Sequence, residues 1–146
     1  MVDFPLPYHR AAFKVAIGLQ VIGNMQSTVR SKAPSPYDYM DLMFEQQSQI
    51  YNYAATVNDT QLVDYIANLV SKNLHVDKAA FVTGMADGNM DWLARVDWKF
   101  ACSLGVSGTP MPYINRVFLD AGIADYTLTD WQKILDPMLK NDNYLL

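Results

Sequence analysis

Thiol chemistry is the first reaction to ask about, because the chain holds one cysteine, Cys102. A thiolate attacks a disulfide through a mixed-disulfide intermediate, and releasing the product takes a second thiol close by. The sequence supplies no second thiol, so neither an internal disulfide nor an intrachain dithiol can form. Near the end of a predicted helix, beside Phe100, Ala101 and Leu104, Cys102 is expected to act as a small buried apolar residue. A mixed-disulfide or regulatory role for Cys102 is the other reading.

The remaining chemistry-bearing residues are scattered. His9 and His75 are the two histidines and lack the paired spacing of a zinc site, so no metal is expected; His9 should cap or pack near the start of the first helix. Asp120, Asp125, Asp130 and Asp136 have nothing to pair them as acid and base, and read as a solvated face. Ser103 and Ser107 have no nearby histidine, and no G-x-x-x-x-G-K-[ST] loop occurs, so neither a nucleophilic serine nor a phosphate-binding cofactor is expected. Asn58-Asp59-Thr60 fits the N-glycosylation tripeptide, a pattern that often arises by chance. Trp92 and Trp98 lie six apart on different sides of one predicted helix, so at least one is a candidate surface contact for a partner.

Composition bounds what can position these groups. The 146 residues, 51% hydrophobic and 18% charged, suit one domain with a core of its own. No apolar run approaches the roughly 20 residues that span a bilayer, and the start MVDFPLPYHR lacks the order of a secretion signal. With 11 Lys and Arg against 15 Asp and Glu and no basic cluster, nucleic acid is not an expected partner.

The elements follow from periodicity and punctuation. Residues 2–4 read as a strand stopped by Pro5 and Pro7. Ala12, Val15, Ala16, Leu19 and Ile22 place one apolar stripe on a helix over residues 9–24, ended by Gly23-Asn24, with a loop over residues 26–34 carrying Arg30 and Lys32. Ser35 caps a second helix with Pro36 in its first turn and Asp38 against its positive end, lined inside by Met40, Met43, Phe44 and Tyr51. A third helix is predicted over residues 60–73, capped by Asn58 or Asp59, with Leu62, Ile66, Leu69 and Val70 inward; a fourth short one starts at Asp77. Asp87-Gly88-Asn89 precedes a fifth over residues 90–104, in which Leu93, Val96, Phe100 and Leu104 share a face and Gly105 is the left-handed stop.

After Gly105 the period changes to two. Met111 and Tyr113 alternate with Pro112 and Ile114, and Val117 to Leu119 follow a turn at Asn115-Arg116, which makes a hairpin in which Arg116 takes a position suited to glycine. Thr129-Asp130-Trp131-Gln132 reads as a capping box opening the last helix, which Pro137 should kink or end. The order is strand, five helices, two strands, helix: an α/β or α+β domain with a large helical insertion.

These residues carry a resemblance. FPLPYHRAAFKVAIGLQV resembles the strand-to-helix segment of DsbA-like thioredoxin-fold proteins, GVSGTPMPYINRVFL resembles that family's loop, aromatic-rich strand, turn and strand, and DYTLTDWQKILDPML resembles its C-terminal helix. The resemblance implies a single domain over residues 1–146, a partial thioredoxin fold with a DsbA-type helical insertion at about residues 25–104 and a C-terminal β-hairpin and helix. It also implies a cis Thr109-Pro110 peptide and a binding loop of Gly108, Thr109 and Pro110, since proline lacks an N–H and leaves the Thr109 backbone to meet an extended substrate segment.

The family's strand-helix unit with Cys-x-x-Cys has no counterpart in this chain. The expectation is therefore an N-terminally incomplete domain whose flanking strands lack a central partner, so that another protein chain or a second copy completes the sheet. Two functions stay open: a redox-inactive binding or structural subunit, or the C-terminal part of a dithiol-disulfide oxidoreductase whose cysteines lie elsewhere. A helical domain of unrelated function that ends in a hairpin and helix is a third reading.

Overall fold

The computed structural model describes residues 4–28, 33–119, 122 and 125–139. The chain divides into two compact units, Met1–Gly105 and Val106–Leu146. Most described residues are helical, and the sheet among them is one antiparallel two-stranded hairpin. No helix among them is long and apolar enough to cross a membrane.

The first unit is built around α1 (Ala12–Thr28), whose Ala16, Ile17, Val21 and Ile22 are buried. It packs against α2 (Pro36–Glu45), α5 (Lys78–Ala86) and α6 (Gly88–Ser103), while α4 (Asp59–Leu74) packs against α2, α3 (Gln47–Ala54) and α5. Tyr39 and Phe81, both fully buried, meet with ring centroids 6.3 Å apart, and the Tyr39 hydroxyl donates to the Val15 carbonyl at 3.0 Å. Gly18 lies beneath that hydroxyl: a Cβ there would stand 2.1 Å from it, so α1 and Tyr39 can approach only because residue 18 has no side chain. Arg10 ties the start of α1 to the end of α3, donating to the Ala54 carbonyl at 2.6 Å and to the Val57 carbonyl.

Caps set most of the helix starts. Ser35 and Asp38 form a capping box on α2, with Pro36 in its first turn. Asn58 and Gln61 form another on α4, at 2.9 and 3.0 Å, which occupies the oxygen of the tripeptide Asn58-Asp59-Thr60. Asp77 caps α5, and Asp87 alone separates α5 from α6, capping the second by accepting from the Asn89 N–H at 2.9 Å.

Several expectations need correction. The Gly23-Asn24 pair does not end α1, which continues to Thr28; the Ser27 and Thr28 hydroxyls donate back to the Asn24 carbonyl and carry the last turn. The expected second helix is two, because the chain breaks at Gln46, and its inner face is Tyr39, Leu42 and Met43, one residue out of phase with Phe44, which is 70% exposed; Tyr51 is also exposed. The block before the hairpin therefore holds six described helices. Phe4 is not in a strand, and the strand residues Val2 and Asp3, the loop cations Arg30 and Lys32, and Asp120 lie outside the described residues.

In α6 the apolar row Leu93, Val96 and Phe100 does share a face, but that face is 40–42% exposed, and the buried row is Met90, Ala94 and Ala101. α6 packs against α1, and two of its three buried residues are alanines.

The second unit holds a hairpin and one helix. β1 (Tyr113–Ile114) pairs antiparallel with β2 (Val117–Phe118), Tyr113 opposite Phe118 and Ile114 opposite Val117. Asn115 and Arg116 both take positive φ, 50° and 68°, the pattern of a two-residue type I′ turn. The helix α7 (Leu128–Leu139) is capped by Thr127 rather than Thr129: the Asp130 N–H donates to the Thr127 hydroxyl oxygen at 3.3 Å, and the Thr127 N–H returns to the Asp130 carboxylate at 3.2 Å. Pro137 sits inside α7 without ending it.

Candidate functional site

The loop between α6 and β1 is built from its two ends. The last turn of α6 closes when the Leu104 N–H reaches back to Phe100 and Ala101, and Gly105, at φ +81°, turns the chain out in a conformation that favours glycine. Further on, the Ser107 N–H points at the Met111 sulfur, 3.4 Å away, which folds residues 107–111 into a tight bend. The Thr109-Pro110 peptide inside that bend is cis, and both residues are exposed. Gly108 is half-buried, with open space where a side chain would stand.

The bend opens directly onto the hairpin. The Leu119 N–H donates to the Pro112 carbonyl at 2.9 Å, so by the alternation of an antiparallel ladder the Phe118 N–H and C=O point away from β1. The Tyr113 and Phe118 rings lie 5.3 Å apart on one face, and Val117 is 64% exposed. Gly108, Thr109 and Pro110 thus lie at one end of a short ladder with a peptide edge on its β2 side.

Cys102 is exposed, which corrects its expected burial. Ala101 takes the inward position at this end of α6, and the next residue is turned about 100° away from it. In the second unit Asp130 is a helix cap: the Thr127 hydroxyl, Lys133 and the Thr127 N–H hold its carboxyl down to about 2. Asp125 and Asp136 are exposed.

His9 packs between Tyr8 and Tyr51, with ring centroids 4.8 and 6.3 Å away, and its carbonyl accepts from the Ala12 N–H at 2.9 Å; His75 ends α4 with φ 57°. Trp98 stacks on Phe4 at 6.3 Å, and Trp92, 58% exposed, lies under the Lys99 ammonium at 5.6 Å.

The direction of the apolar row on α6 escaped sequence reasoning. Trp92, Leu93, Val96 and Phe100 are all exposed; the sequence marks Leu93, Val96 and Phe100, with Leu104, as one apolar row without marking which way it faces, and Trp92 separately as a candidate surface contact. No family model, curated protein or solved structure matches this chain.

Proposed function

We propose that the chain is a redox-inactive, thioredoxin-like binding or structural subunit of the DsbA-like kind, which holds an extended segment of another protein chain, or of a second copy, at Gly108, Thr109 and Pro110 and along β2. The observation that carries this reading is the placement of the exposed Thr109-Pro110 bend immediately before a hairpin whose outer strand is exposed. An extended segment laid beside β2 pairs with the Phe118 N–H and C=O and covers the Val117 and Phe118 side chains. Backbone pairing of this kind supplies affinity with little demand on the partner's sequence. The single thiol supports the redox-inactive part, because an exchange begun at Cys102 has no second thiol in the chain to finish it.

The test removes one hydrogen-bond donor. Phe118→Pro deletes an N–H that points away from β1, at a position where an edge strand tolerates proline, and Phe118→Ala, which keeps the N–H but loses the ring against Tyr113, is the control that must retain binding. Light scattering across a dilution series reports binding of a second copy; amide hydrogen exchange at residues 117–119, with and without reduced, alkylated insulin chains, reports binding of another extended chain. The expected result is a mass above 16.5 kDa or slowed exchange, either one abolished by Phe118→Pro. A dilution-stable monomer whose hairpin amides ignore the added chains overturns the binding proposal, and clear insulin reduction overturns the redox-inactive one.

A further inference from the structure

We draw no further inference here: the strongest candidate, the outer face of α6 formed by Trp92, Leu93, Val96 and Phe100, is an unpartnered apolar face, and nothing in the structure shows what covers it.

Discussion

The two units differ in how they are held together. In Met1–Gly105 six helices share a core in which Ile22, Tyr39, Leu62, Ile66, Val70 and Phe81 are fully buried. In Val106–Leu146 no described residue is buried, and the elements are a hairpin of two residues per strand and a twelve-residue helix. A lone hairpin is marginal in water, and so is an isolated helix of this length. The candidate binding residues therefore sit on the unit with the least core. Segments that bind by pairing with a partner are drawn from the low-stability end of a fold, since backbone groups saturated within the fold have nothing left to offer.

The largest expected effect tests that contrast directly. Phe81→Ala should lower the stability of the first unit by about 3–5 kcal/mol in urea denaturation, because it empties a fully buried aromatic site beside Tyr39. Leu135→Ala in α7, where the side chain is 38% exposed, should change stability by no more than about 0.5 kcal/mol. Comparable losses from the two would mean that α7 is as well covered as α5, and the contrast would fail.

A pair of glycines gives the next effect. Alanine normally improves a helix interior by about 1 kcal/mol over glycine, yet Gly18→Ala should destabilise by about 1–3 kcal/mol, since its Cβ would fall 2.1 Å from the buried Tyr39 hydroxyl. Gly108→Ala, with no atom within 4 Å of the added carbon, should lie within about 0.5 kcal/mol of the parent. Thermal melts of the two variants decide it, and a stabilised Gly18→Ala would refute the close approach of α1 to Tyr39.

What the sequence made legible follows the same division of forces. Most local chemistry was legible: Ser35 with Pro36, Asn58, Asp77 and the turn at Asn115-Arg116 all stand where their side-chain oxygens or backbone conformations require, whereas α1 runs past Gly23-Asn24 and the cap of α7 is Thr127, two residues before Thr129. Facing read poorly. Phe44 is expected inside and is exposed, and the row Leu93, Val96 and Phe100 carries no sign of its direction; which apolar row turns inward depends on how closely the neighbouring helix comes, and on α6 the buried row is Met90, Ala94 and Ala101. Cys102 was misjudged for the same reason, one position past the inward Ala101. In the candidate site, the tight bend at Thr109-Pro110 was expected from the family resemblance rather than from any local rule, while the outward edge at Phe118 follows from the hairpin register once the turn is known.

A smaller effect belongs to the hairpin. Arg116 holds φ 68°, a region that a residue with a Cβ adopts at a penalty and glycine does not. Arg116→Gly should stabilise the hairpin by about 0.5–1 kcal/mol, the turn gain being partly offset by glycine's freedom in the unfolded chain. Slower amide exchange at residues 117–119 is the readout, and faster exchange would mean that the arginine side chain contributes more than the turn geometry does.

The smallest effect compares two caps with the same chemistry. Asp130 on α7 and Asp38 on α2 are both held below the ordinary carboxylate value of 3.8, Asp130 to about 2 by the Thr127 hydroxyl, Lys133 and the Thr127 N–H, and Asp38 by the Ser35 N–H and hydroxyl. A carboxyl lowered in the folded state stabilises it fully above the unfolded value and loses that contribution as pH falls through the folded value. Both helices should therefore keep their caps at pH 5; the cap of α7 is lost as pH falls through about 2, and that of α2 as pH falls below the ordinary carboxylate value of 3.8. The outcome should differ because α2 is also anchored by buried Tyr39, Leu42 and Met43, whereas α7 has no buried residue. On acidification to about pH 2, residue-resolved NMR shifts should show α7 fraying at its first turn while α2 keeps its helix, and Asp130→Asn should remove the pH dependence from α7 alone. If α2 frayed first, the cap rather than the core would be what holds the helices of the first unit, and the difference between the two units would have to be sought somewhere other than in burial.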